Sequence, residues 1–182
     1  MKTLKESLLD DFGSQTKDLR KKMIEDWLKK NTIYHPVFTI NEDLTIDISS
    51  YAYDGDGDLP DFIQFRNCAG DFICSYCEMT TLRGCPQHVD GNFNCASNKL
   101  KTLEYAPEIV KGSFDCSENE LTSLRGCPKK VGLYFDCSKN KLKSLKGCPK
   151  KIYGYFDCQH NPLTSLKDGP KEVTGVYYTD FQ

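Results

Sequence analysis

The chain has 182 residues and a formal net charge of −2, with 38% hydrophobic and 27% charged residues. That length suits one folded unit with a small cap rather than two large domains, and the near-neutral charge argues against a general nucleic-acid binder. No apolar run approaches the roughly 18 residues of a membrane helix, and Met1-Lys2-Thr3-Leu4-Lys5-Glu6 is not followed by a signal-peptide core, so a cytoplasmic protein is expected.

Residues 1–31 read as helical. Ser7-Leu8-Leu9-Asp10-Asp11-Phe12 is a short amphipathic segment that Gly13 is expected to break. Thr16 then caps a run in which Leu19, Met23, Ile24, Trp27 and Leu28 share one face and a charged face lies opposite. Such a stripe docks either onto its own chain or onto a partner, and the open end of a repeat stack needs a lid. After His35-Pro36 the period becomes two. Val37-Phe38-Thr39-Ile40, a turn at Asn41-Glu42-Asp43 and Leu44-Thr45-Ile46-Asp47-Ile48 read as a hairpin. Helix and hairpin together predict an N-terminal cap over residues 1–60. Asp54, Asp56 and Asp58 alternate as in an EF-hand loop, but Leu59 and Phe65 stand where that loop needs Gly and Glu. An acidic entry loop, with at most weak calcium binding, is expected there.

From residue 61 to 182 the chain repeats with a period of 21 residues. The aromatic column is Phe72, Phe93, Phe114, Phe135, Phe156 and Tyr177, followed two places on by Cys74, Cys95, Cys116, Cys137 and Cys158. Three residues later stand Cys77, Asn98, Asn119, Asn140 and Asn161, and the column from Met79 to Leu163 and that from Leu82 to Leu166 follow. A proline and then Val or Ile complete each unit, V-x-G-x-F-x-C-S-x-N-x-L-x-S-L-x-G-C-P. Val131, Leu133, Phe135 and Cys137 alternate with Gly132, Tyr134 and Asp136, so this half is a strand with the first set facing in. The Asn amide is placed to bond the backbone of its own bend and of its neighbour, forming a ladder. Leu-x-x-Leu-x-Gly-Cys-Pro is too short for a helix, so the return leg should be extended or polyproline-like. The expected fold is a mainly β solenoid, a leucine-rich-repeat stack with one parallel sheet, five repeats and a truncated sixth strand. Its rungs should lie about 4.8 Å apart.

These motifs resemble short-repeat bacterial leucine-rich-repeat proteins, similar in their L-T-S-L-x-x-x-P rhythm to type III effector repeats of enteric pathogens. The F-x-C-S-x-N-x-L-x-S-L-x-G-C-P unit is closer to small cysteine-rich repeat proteins of phages and prophages. The resemblance covers roughly residues 60–182 and implies a binding scaffold. If the phage likeness holds, it implies a host protein as target and an inhibitor of a defence protein such as a CRISPR nuclease. The ubiquitin-ligase domain that follows the repeats of some effectors has no counterpart up to Gln182, so that activity is not carried over.

Ten cysteines would suit a disulfide scaffold, but five occupy the inward strand column. Cys85, Cys127 and Cys148 occupy a second column that also accepts Ala106 and Gly169, so small reduced packing thiols are expected. Cys74 and Cys77 with Cys68 offer thiolate spacing for zinc, yet no second pair or nearby histidine completes four ligands, and no metal or cofactor is predicted. His35, His88 and His160 lie in unrelated settings without a nucleophile elbow, Walker loop or dinucleotide fingerprint, so no enzymatic activity is expected.

The outward strand residues carry the candidate site. One column is Asn94, Asp115, Asp136 and Asp157; its neighbour includes Tyr134, Tyr155 and Val176, with Tyr153 and Tyr178 adding aromatic area. Two readings fit the aspartates: carboxylates that serve nearby backbone amides, or an acidic ridge on the concave side for a protein partner with a basic surface. Lys129-Lys130, Lys150-Lys151, Arg125, Lys146, Lys167 and Lys171 form a stripe expected on the return leg, either solvated or contacting phosphates. The final strand, with Val176, Tyr178 and Phe181, suggests a partner or a homodimer through its edge. The reading is a non-enzymatic protein-binding module. A nucleic-acid-contacting protein and a structural virion component are the alternatives.

Overall fold

The structure, a computed structural model, describes residues 4–33 and 35–181, with side chains from residue 15 onward. A single helix, α1 (Leu4–Lys30), leads into a hairpin of β1 (Phe38–Ile40) and β2 (Ile46–Ile48), followed by β3 (Tyr51–Ala52). Each later turn of the coil then contributes two short strands. They are β4 (Phe65–Cys68) and β5 (Phe72–Ile73), β6 (His88–Val89) and β7 (Phe93–Asn94), β8 (Ile109–Val110) and β9 (Phe114–Asp115). The last three pairs are β10 (Lys130–Val131) and β11 (Phe135–Asp136), β12 (Lys151–Ile152) and β13 (Phe156–Asp157), β14 (Glu172–Val173) and β15 (Tyr177–Tyr178). The protein is therefore a β-solenoid of about six turns.

The single sheet expected from the alternating pattern is divided into two parallel ladders. One runs through the even-numbered strands from β2 to β14, with a break between β10 and β12; the other joins all the odd-numbered strands from β3 to β15. The division lies at the Gly-x pair between Val and Phe, where the chain bends. Leu133, expected to face inward, is 53% exposed for that reason. The bend disturbs the side-chain alternation only locally, since Val131, Phe135 and Cys137 on either side of it stay buried, and period two alone does not reveal it.

Register holds residue to residue. Phe93 pairs with Phe114, Phe114 with Phe135 and Phe135 with Phe156, and all four rings are fully buried. Their centroids lie 5.6, 5.3 and 5.7 Å apart. Tyr51 heads this spine at 5.5 Å from Phe72, and Tyr177 ends it at 5.0 Å from Phe156. Tyr51 stands one period before Phe72 and pairs with it, so the ladders already run through residues 46–52. The ten cysteines are free thiols, nine of them buried. Cys95, Cys116, Cys137 and Cys158 donate to the carbonyls of Asp115, Asp136, Asp157 and Tyr178 at 3.2–3.4 Å. A buried group in this column must be small and must also offer a donor to the next turn, which a thiol does and an alanine does not.

The asparagines close the bend. Asn119 donates to the carbonyls of Cys95, Cys116 and Ser117 and accepts from the Leu100 amide at 3.0 Å. Asn140 and Asn161 repeat this arrangement, accepting from Leu121 and Leu142. The residue before each Asn is left-handed, with φ of 54° at Ser97, 53° at Glu118, 53° at Lys139 and 56° at His160. The return leg has no helix, as its short proline-terminated pattern predicts; in place of a continuous extended leg it turns at Gly84, Gly126 and Gly147 with φ near 90–100°. Tyr105 occupies the same place in its turn at φ 69°.

At the N-terminal end α1 runs unbroken through Gly13, since a glycine weakens a helix by about 1 kcal/mol without stopping it. The face proposed for Ser7–Phe12 lies outside the residues whose side chains are described. Ile24 and Leu28 join the core, and Trp27 stacks on Tyr53 with centroids 5.7 Å apart. Leu19 and Met23, expected on the same docked face, are 70% and 48% exposed, because only the last turns of the helix reach the stack.

Two predictions follow from the bends. Asn119→Ala removes an acceptor from the buried Leu100 amide and a donor from three carbonyls; each unsatisfied buried group costs about 1–3 kcal/mol. Urea unfolding followed by circular dichroism should show a loss of about 3 kcal/mol. Tyr105→Gly relieves a left-handed conformation at an exposed site and should raise stability by up to about 1 kcal/mol in the same assay.

Candidate partner-binding face

In the second ladder each Phe points into the core and its successor points out. The expected column of Asn94, Asp115, Asp136 and Asp157 is thereby brought into register. Each places Oδ1 on the amide two residues on: Ala96, Ser117, Ser138 and Gln159, at 2.9, 3.0, 2.9 and 2.9 Å. These are Asx turns, which hold the chain as it leaves the strand. The local role expected of the aspartates is therefore present, Asp115, Asp136 and Asp157 each accepting a backbone amide on Oδ1.

Burial raises the Asp136 carboxyl above its ordinary range; the Ser138 bonds oppose this, and Asp115 and Asp157 on either side push it further up. Proximity of like charges along a ladder has this effect wherever solvent does not screen them.

Beside the aspartates, Tyr134 and Tyr155 stack face to face with centroids 4.4 Å apart and planes 6° apart. Tyr178 closes edge-on against Tyr155 at 5.8 Å. Val176 in the same neighbouring column is 54% exposed, and Tyr178 and Phe181 are each 41% exposed. No protein-family model, curated protein or solved structure matches the chain.

Tyr153 is not part of this cluster. It lines a groove on the first ladder, with the Lys151 ammonium 4.8 Å from its ring centroid. Lys130 and Lys151, expected on the return leg, lie in β10 and β12, next to that groove. The pairs fall there because the prolines end the return leg one residue before Lys129 and Lys150, so the second lysine of each pair or its neighbour already enters the strand.

Among the described residues no three His, Cys, Asp or Glu side chains converge as metal ligands. Asp58 caps the following turn, accepting from the Thr80 amide and hydroxyl at 2.7 Å each and from the Thr81 amide at 3.0 Å. Cys77 donates to the carbonyls of Tyr53 and Ser75, and burial pushes the Cys68 and Cys77 thiols up to about 11. Such thiols stay protonated at neutral pH and are poor ligands and nucleophiles. His35, His88 and His160 are each exposed. No described helix is long and apolar enough to cross a membrane.

The raised Asp136 carboxyl has a defined consequence. The native chain holds that proton more tightly than the unfolded chain, so this group favours folding most in acid and less as pH rises through its native value. Asp136→Asn keeps the acceptor for Ser138, as Asn94 does for Ala96. It should raise the unfolding midpoint at pH 7, with the gain vanishing as pH is lowered to about 4.

Proposed function

We propose that the protein is a binding module that acts by occupying a protein partner with the outward face of its second ladder. The single observation that carries this reading is the stacked Tyr134–Tyr155 pair set beside the aspartate column. Rigid, partly exposed tyrosines have large contact area and little rotamer entropy to lose, which suits anchors at an interface. The partner chemistry follows from the charge. Burial is the main reason the Asp136 carboxyl is raised, and a lysine or arginine laid along Asp115, Asp136 and Asp157 would offset the repulsion its two neighbours add, so the fitting partner presents a basic surface.

The binding needs no chemistry from this chain, and its buried thiols and exposed histidines suit a scaffold better than a catalyst. The likeness to phage-encoded repeats directs the search toward host proteins, CRISPR nucleases among them. The exposed Val176, Tyr178 and Phe181 at the β15 edge extend the same face. A second copy docking along that edge is the homodimeric form of the reading.

The test is affinity capture from host extract followed by measurement of Kd for the captured protein. Tyr134→Ala with Tyr155→Ala, and separately Asp136→Arg, should each weaken binding at least about 10-fold, the scale of an interface hot spot. Affinities unchanged by both would remove this face from the interaction.

A further inference from the structure

The first ladder is interrupted once. The amides of Gln87, Glu108 and Lys129 donate to the preceding rung at 3.0, 2.8 and 2.9 Å, and that of Lys171 donates to Lys150 at 2.8 Å. Among the described residues no equivalent bond joins Lys150 to Lys129, although the Gly154 amide still donates to the Leu133 carbonyl of the same rung at 2.8 Å. Tyr153 also lacks the bond to Val131 that its counterparts Asp90, Lys111, Gly132 and Thr174 make to the rungs before them. β12 accordingly pairs only with β14.

The interruption follows a change in a glycine column. A Cβ at Gly91 would come within 2.5 Å of Gly70 backbone, at Gly112 within 2.6 Å of Gly91, and at Gly175 within 2.7 Å of Gly154. In the interrupted rung the glycine stands one place early, at 132, and Leu133 fills the column with its side chain turned to solvent. The bond of the column itself survives, from the Gly154 amide to the Leu133 carbonyl, so the ladder opens only on the strand side, at Lys150 and Tyr153.

What opens beside the break is a groove of about 550 Å³. Val131 and Gly132 lie in it, with Lys130, Lys150, Lys151 and Tyr153 around them. Lys151 is paired with Glu172 at 2.7 Å, whereas Lys130 and Lys150 have no carboxylate partner among the described residues. The Tyr153 ring is 57% exposed, with Lys151 held over it. Among the described residues the amides of Lys150 and Tyr153 have no backbone acceptor at the break.

We propose that this groove binds a nucleotide unit, with the base on the Tyr153 ring and the phosphate between the Lys130 and Lys150 ammonium groups. An aromatic face beside unpaired cations is the arrangement by which single nucleotides are held without reading sequence. An acidic peptide would satisfy the lysines but leave the ring without a stacking partner. Both a free nucleotide and a unit within a single strand offer this chemistry. The site lies on the other ladder from the tyrosine–aspartate face and does not depend on it.

Fluorescence anisotropy of a labelled six-nucleotide single strand, and calorimetry with AMP and with inorganic phosphate, test the site on the full chain. AMP should bind more tightly than inorganic phosphate. Tyr153→Ala should weaken AMP or strand binding about 10-fold. Lys130→Ser with Lys150→Ser should weaken it similarly and, for a strand, flatten the dependence of log K on log salt by about 1.4. Strand binding with AMP as competitor assigns the single strand as source; AMP binding without strand binding assigns the free nucleotide. All three replaced side chains are exposed, and far-UV circular dichroism checks the fold. Lys22→Ser, at an exposed helix position outside the groove, serves as the control that leaves binding unchanged. Absence of AMP and strand binding at about 1 mM, phosphate binding equal to AMP, or variants that bind as the wild type would each overturn the proposal.

Discussion

The constraint behind the whole molecule is the thickness of a turn. Neighbouring strands lie about 4.8 Å apart, so one turn of this coil is a single layer of chain and cannot bury an apolar side chain by itself. Every inward residue must find its cover in the same residue one turn away. This is why Phe93, Phe114 and Phe135 repeat without variation, and why their 5.3–5.6 Å ring spacing follows that of the strands. The same spacing demands glycine where backbones close on one another and a small hydrogen-bonding group in the cysteine column.

A layer this thin also places every bend next to the core, where unmet amides and carbonyls are costly. The chain answers with side chains that imitate backbone. Asn98, Asn119, Asn140 and Asn161 span two turns each, and the Asx column fastens the exit of the strand. Outside the core, Lys139–Glu118 and Lys141–Glu120 bridge successive turns at exposed positions, where such pairs contribute little individually. With interior and bends so fully committed, function is left to the outward residues, the part of the repeat free to vary.

That freedom is used differently on the two ladders. The second displays carboxylates with stacked tyrosines; the first displays lysines around the break between β10 and β12. A net charge of −2 conceals this difference, because it sums groups from the whole chain. The overall charge therefore argues only against a uniformly basic surface and says nothing about a local groove.

Much of the architecture was legible in the residues. A strict period of 21 implies stacking, an inward column implies a spine, and Asn at a bend implies a ladder, because each inference needs only a contact between a residue and its own copy. The aspartate column and the Tyr134–Tyr155 pair were legible for the same reason. Tyr51 as the head of the spine was harder to see, since the unit around it lacks the flanking motif. The division into two ladders, the outward turn of Leu133, the transfer of Tyr153 to the lysine groove and the exposure of Leu19 and Met23 were decided only by the tertiary structure. Each depends on how closely two different backbones approach or on where a helix meets the stack. Periodicity carries contacts between equivalents; contacts between non-equivalents are fixed by the packed chain as a whole.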